Sequence, residues 1–183
     1  TRNFGLSHAS GDYIAFLDND DEYLPSFLAD NIALLETYHA DMIKFNKIKL
    51  YVSDSSYQEE SKITFPITFL EGEDIWKNFD QVYRFGGTIW NAIYRASFLR
   101  ENKIMFDESQ RHVIEDHRFN LECYRKVSSI VLNPKSYYLW KVRVEHSTTG
   151  KFILERFENI KVEANALYLF LQSKNISKFL PHF

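Results

Sequence analysis

One cysteine, Cys123, is the whole thiol content of the chain. It excludes an internal disulfide, leaves no cysteine cluster for zinc, and fits a reducing compartment. An excess of charge of one sign is also missing. With 22 Lys and Arg against 25 Asp and Glu, the formal charge of −3 gives no field to draw the chain to nucleic acid or to anionic lipid. No run approaches the roughly 20 apolar residues of a membrane span. There is no internal repeat and no low-complexity linker. What remains is the composition of one globular domain: 183 residues, 45% apolar and 26% charged, enough to bury a core. Aromatics stand out at 16%, with 16 Phe and 11 Tyr. That surplus fills a core or, alternatively, walls a flat ligand such as a sugar or a base.

Residues 13–18 form a short apolar run behind Gly11-Asp12 and end in acids, the pattern of a buried strand with carboxylates at its C-terminal end. Pro25 suits the first turn of a following helix. Phe27, Leu28, Ile32, Leu34, Leu35 and Tyr38 supply its apolar face. This strand–acidic loop–helix unit predicts an α/β or mixed sheet. Residues 41–52 alternate as a strand, 53–62 read as a loop or hairpin tip, 63–70 as a second strand and 71–79 as a short helix. Gly86-Gly87 breaks the pattern ahead of residues 88–94, and 96–102 make one or two helical turns. Residues 115–126 have helical spacing, and 129–132 and 137–144 read as two strands. From Lys151 onward Ile153, Phe157, Ile160, Ala164, Leu167 and Leu171 mark a long amphipathic helix. Such a stripe is a packing face, for this domain or for a second copy in a homo-oligomer.

The chemistry concentrates at Asp18-Asn19-Asp20-Asp21. Carboxylates crowded at a half-buried strand end repel one another unless a cation offsets them, and they are the ligands a hard divalent ion prefers. An EF-hand loop is excluded, because its glycine position holds Tyr23 and its closing acid is replaced by Ala29. An Asp-x-Asp nucleophile loop of the phosphatase type and a solvated acidic helix start remain open on this cluster alone. Glu115-Asp116 has the same ambiguity: two acids suit a helix start, and a carboxylate also serves as a general base.

Arg2-Asn3-Phe4-Gly5, then Ala9-Ser10-Gly11-Asp12, then Phe16-Leu17-Asp18-Asn19-Asp20-Asp21 and Pro25 together resemble the family 2 glycosyltransferases of the GT-A fold. Further on, Trp90-Asn91 with Tyr94-Arg95, Glu115-Asp116-His117-Arg118 and Arg143 with His146-Ser147 resemble the acceptor and catalytic segments of bacterial members. The resemblance covers residues 1 to about 150. It implies a GT-A-like mixed α/β sheet flanked by helices, with the long C-terminal helix (151–183) outside it. Members of the family begin with a strand–helix–strand unit that holds the nucleotide. That unit does not precede Thr1, so the expectation is the metal, acceptor and base side of a longer domain, with weak binding of nucleotide-sugar.

The resemblance also implies roles. Asp20 and Asp18, with His146, would hold Mn²⁺ or Mg²⁺. Arg2, Asn3, Asp18 and Asn19 would face the donor, a UDP-sugar. Asp116 would be the general base with Glu115 orienting it. Trp90, Asn91 and Gly87 would line the site of a glycan or lipid-linked acceptor. An inverting sugar transferase of bacterial surface-polysaccharide synthesis follows, cytoplasmic or peripheral at the inner face of the membrane. A non-catalytic carbohydrate-binding or scaffold remnant of the same fold is the alternative. A hydrolase using Asp18 as nucleophile fits less well, since Glu22 stands where that family carries Thr or Val.

Overall fold

The computed structural model describes residues 1–52, 56–59, 63–108, 115–142 and 154–176. The first half of the chain forms α1 (Arg2–His8), β1 (Tyr13–Ala15), β2 (Glu22–Tyr23), α2 (Phe27–Tyr38), β3 (Met42–Tyr51), β4 (Ser56–Glu59) and β5 (Thr68–Glu71). The second half forms α3 (Glu73–Lys77), α4 (Phe79–Tyr83), β6 (Ala92–Arg95), α5 (Ala96–Glu101), α6 (Glu115–Lys126), β7 (Ser129–Val142) and α7 (Leu154–Ser173). The expected mixed sheet flanked by helices is present, and so is the long C-terminal helix.

Its spine is a parallel pair, β3 beside β7, in register from Met42↔Ile130 to Tyr51↔Val142. The other pairings are antiparallel. Each spine strand divides its outer edge between two short partners. β3 takes β6 along Met42 to Lys44 and β4 along Ile48 to Tyr51. β7 takes β5 along Ser129 to Leu132 and β2 at Tyr138 and Leu139. β1 then adds to β6, with Ile14 opposite Tyr94.

Alternation along β3 sends side chains into two cores. Met42 joins Ile14, Phe79, Tyr94, Phe119, Leu132 and Phe170 on the side of α3 to α7. Ile43 and Phe45 join Phe27, Leu35, Val131 and Tyr138 on the side of α2. Rings such as Phe45, Phe79 and Phe119 are fully enclosed, and truncating one to Ala costs about 3–5 kcal/mol.

Several local expectations are corrected. The two strands foreseen over 129–144 are one, β7. Pro134 and Lys135 are absorbed as an irregularity where Phe45↔Asn133 is followed by Asn46↔Ser136, a bulge that accommodates a proline without a ladder donor. Within the foreseen loop 53–62, β4 pairs with β3; an edge strand needs only backbone groups, so polar composition concealed it. The strand foreseen over 63–70 is confined to β5, behind Pro66. The helix over 71–79 becomes α3 and α4, meeting at Asn78, whose Nδ2 donates to the Asp74 carbonyl at 2.9 Å. Pro25 lies ahead of α2, which Ser26 opens from a left-handed conformation at φ 66°.

On α7 the inner face differs from the foreseen stripe. Leu167 and Leu171 point inward, but Ile160 and Ala164 face solvent and Glu163 is buried instead. The reason is a partner on α6: Arg118 Nη1 lies 2.8 Å from Glu163 Oε1. Ile153 and the side chain of Phe157 lie outside the described residues. No helix among the described residues is long and apolar enough to cross a membrane.

Candidate active site

The acidic loop leaves β1 and is fastened on both sides. Phe16 sets its edge against Tyr94, Phe106 and Phe119, with centroids 6.0, 5.4 and 5.6 Å away. The Tyr23 hydroxyl lies 2.6 Å from the Phe16 carbonyl and 3.1 Å from that of Trp90. Asp21 is drawn inward: Tyr138 Oη donates to its Oδ2 at 2.7 Å, and the Lys141 backbone N–H donates to its Oδ1 at 2.8 Å. Asp21 is therefore a tether to β7 and leaves the helix start uncapped. Between these anchors Asp18 is half-exposed, and Asn19 and Asp20 are exposed.

A second fixing point comes from α1, which buries no side chain. Asn3 clasps the backbone of Phe106: its Nδ2 donates to the carbonyl and its Oδ1 accepts the N–H, both at 2.8 Å. That holds Arg2 over the Phe106 ring at 5.4 Å. Arg2 Nη1 then lies 2.7 Å from Asp116 Oδ1 and 3.2 Å from Glu115 Oε1, while Nη2 lies 3.6 Å from Asp18 Oδ1. Carboxylates about a hundred residues apart in sequence meet on one guanidinium.

Their proton affinities follow. Burial is the largest influence on Asp116 and, with the nearby charges of Glu115 and Asp18, outweighs Arg2 and the Ile89 amide; its carboxyl is raised to about 6. Asp18 is raised by burial as well, with Asp20 and Glu115 adding and Arg2 opposing. Asp21 is raised by burial against its bonds to Tyr138 and Lys141. Asp116, a mostly enclosed carboxylate at the start of a helix, is suited to accept a proton near neutral pH.

Residues 85–91 form a turn packed behind Asp116. Asn91 is fully buried, and its amide is used internally. Nδ2 donates to Phe85 O at 2.7 Å and Phe45 O at 3.1 Å, while Oδ1 accepts from Thr88 Oγ1 at 2.8 Å and Lys44 Nζ at 3.0 Å. Trp90 is also enclosed, stacked on Tyr138 at 4.2 Å with Lys47 Nζ 4.8 Å from its ring. Gly87 is where α6 comes closest, since a Cβ there would overlap the imidazole of His117. The structure thus places these three expected acceptor residues in a packed turn and not on an open wall. Asn120 of α6 binds the same turn, its Nδ2 donating to Gly87 O at 2.7 Å and Thr88 O at 2.9 Å, with Tyr94 Oη on its Oδ1 at 2.7 Å. Sequence reasoning missed Lys44, Asn120, Tyr23 and Tyr138, and read Tyr94 only as a member of the acceptor-side motif. Only Lys44 carried a signal, a charge between Ile43 and Phe45 in an apolar strand.

Among the described residues no three acids, histidines or cysteines converge into a metal cage. Asp18 and Asp20 nonetheless fit a shared cation: the charge of Asp20 opposes ionisation of Asp18, and a Mg²⁺-like ion takes one or two carboxylates with phosphate oxygens and water completing its shell. His146, the third expected ligand, lies outside the described residues, as does Arg143.

Comparison with known proteins gives a consistent picture. Residues 1–102 match the family model described as Glycosyl transferase family 2. The chain is 30% identical over 161 residues to the poly(ribitol-phosphate) beta-N-acetylglucosaminyltransferase TarS of Staphylococcus aureus, covering 87% of this chain and 26% of that protein. It is 23% identical over 184 residues to the cholesterol galactosyltransferase of Borreliella burgdorferi, covering 96% of this chain and 49% of the relative. The crystal structure of S. aureus TarS 1–349 in complex with UDP-GlcNAc superposes with a TM-score of 0.74 at 20% identity, over 98% of this chain and 50% of that one. The fold is thus the GT-A-like one of that enzyme. This chain spans half or less of the length of each of these proteins.

Proposed function

Because the chain belongs to glycosyl transferase family 2, we propose that it carries the cation, acceptor and catalytic-base side of an inverting sugar transferase. The donor class is a nucleotide-diphosphate sugar, a UDP-sugar by analogy with the UDP-GlcNAc complex of TarS. The acceptor is a glycan or lipid-linked acceptor of bacterial surface-polysaccharide synthesis, in keeping with the acceptor in the TarS name. The proposed location is the cytoplasm, peripheral to the inner face of the membrane.

The observation that carries this reading is the meeting of Asp18 with Asp116 on Arg2. It sets an acidic strand end beside an enclosed carboxylate, so that a leaving group held by one faces a base on the other. Asp116 takes the proton of an acceptor hydroxyl as that oxygen bonds to the anomeric carbon, while the bond from that carbon to the diphosphate oxygen breaks on the opposite side. Glu115 shares the guanidinium with Asp116 and so fixes its orientation. Asp20 and Asp18, with His146, would hold Mn²⁺ or Mg²⁺, which when bound offsets the negative charge gathering on the leaving diphosphate. Arg2, Asn3 and Asn19 border the donor side. Trp90, Asn91 and Gly87 serve the acceptor by shaping the turn beneath it.

The test is turnover of a UDP-sugar by the full-length gene product with and without Mn²⁺. Asp20→Asn and Asp116→Asn are each expected to lower kcat by about a hundredfold or more, the second with donor affinity retained by calorimetry. Full activity in either variant removes the role assigned to that residue.

A further inference from the structure

Among the described residues the most completely enclosed charge is Lys44, in the middle of the sheet. Its Nζ donates to the Thr88 carbonyl at 2.7 Å and to Asn91 Oδ1 at 3.0 Å, both neutral oxygens. Thr88 and Asn91 bracket Ile89 and Trp90, and the Ile89 amide hydrogen-bonds the Asp116 carboxylate and favours its ionised form. The Thr88 carbonyl also accepts from Asn120, one helical turn beyond Asp116. The turn is therefore gripped from the sheet by Lys44 and from the helix by Asn120, and the base rests against it. Enclosing an ammonium is expensive, and an apolar side chain of similar length fills such a strand position without that cost. Packing alone gives no reason for a charge here.

We propose that Lys44 is a positioning residue for the transfer step, fixing the 88–91 turn, and with it the Ile89 amide, against Asp116, with its positive charge on the far side of that turn. This rests on the reading of Asp116 as the base. The groups facing Asp116 are Arg2 from α1, Asp18 from the loop after β1, Glu115 on α6, Lys44 on β3 and Tyr94 on β6. Those facing Lys44 are Lys47 on its own strand and Asp116, His117 and Cys123 on α6. Burial first, and Lys47 second, push the Lys44 ammonium down to about 7. Electrostatic influence between two groups is mutual, so whatever Asp116 does for Lys44 is returned. The charge behind the base consequently fades as pH rises through neutrality.

The experiment is a carbon-13 titration of this chain labelled at Asp Cγ and Lys Cε, with the two signals assigned in the parent by through-bond correlation to the backbone. In the parent, the Asp116 signal is expected to show its main inflection and a second, smaller one at the midpoint of the Lys44 signal. Lys44→Met removes the second inflection and moves the main one up by a few tenths of a unit. Lys44→Arg, which keeps the charge but does not titrate, removes the second inflection and leaves the main one in place. In the full-length enzyme Lys44→Met is expected to lower kcat about tenfold with KM for the UDP-sugar unchanged. A parent Asp116 curve with no feature at the Lys44 midpoint overturns the proposal, and that reading needs no variant to fold. So does a main midpoint that Lys44→Met leaves unmoved. Coupling without turnover in the parent enzyme marks the sugar-transfer reading as the failure; turnover without coupling marks the role of Lys44.

Discussion

Asp116 Oδ1 sits 2.7 Å from Arg2 Nη1, the shortest of three ion pairs that this arginine makes. Burial and two neighbouring acids push the carboxyl up, and Arg2 is the largest influence pulling it back. The arginine is thus what favours the ionised form of an enclosed acid at neutral pH.

Replacing Arg2 with Gln should raise the Asp116 midpoint above its value of about 6. The acidic limb of the kcat/KM profile should move to higher pH with it, by about one unit. Arg2→Lys restores the charge without the two-nitrogen grip and should return part of the shift. A limb that stays in place in Arg2→Gln separates this pair from catalysis.

Asp116→Asn should be inactive and more stable. Because the folded-state midpoint lies above the ordinary aspartate value of 3.8, at about 6, the native chain holds this proton more tightly than the unfolded one. Stability from this group is therefore fullest below pH 3.8 and is lost as pH rises through 6. The Asn variant escapes that loss and should gain about 1–2 kcal/mol at pH 7, after allowance for the weakened Arg2 contact, and nothing at acid pH. Urea melts at the two pH values measure it.

Tyr138→Phe removes the hydroxyl that donates to Asp21 at 2.7 Å. A buried carboxylate short of one donor should cost about 1–3 kcal/mol. The loop carrying Asp18 and Asp20 should loosen as well, raising the Mn²⁺ concentration needed for half-maximal turnover. Unchanged cation dependence would separate the tether from the metal role proposed for the loop.

Gly87→Ala puts a methyl into the space of the His117 ring. A loss of about 1–3 kcal/mol is expected, together with lower kcat, since the displaced residue follows Asp116 directly. His117→Ala in the same chain should recover most of the stability. Purely additive losses in the double mutant would show that the two sites do not touch.

Local pattern carried much of this molecule. The strand into the acidic loop, the alternation of β3, the α6 helix and the long α7 could all be read from spacing. Other features could not, for identifiable reasons. Glu163 breaks the apolar face of α7, and only the position of Arg118 explains its burial. β7 runs through Pro134 because β3 accepts an irregularity opposite it. Trp90 and Asn91 look like ligand contacts in sequence, yet their neighbours in space are Tyr138, Lys44 and two backbone carbonyls. Arg2 and Asn3 were legible as members of a motif. That they would reach Asp116 and Phe106 depends on how the sheet brings distant segments together.

The short helix at the front of the chain has a thermal consequence. With no side chain fully buried in it, α1 is held by the Asn3 clasp, by the ion pairs of Arg2 and by a partly buried Leu6 at the edge of the core, and the first two weaken when water or salt reaches them. Its release is a local opening, far less demanding than melting the two cores. Heating should therefore silence the enzyme several degrees before the fold is lost, and reversibly, as α1 swings away and Asp116 loses the guanidinium that favours its ionised form.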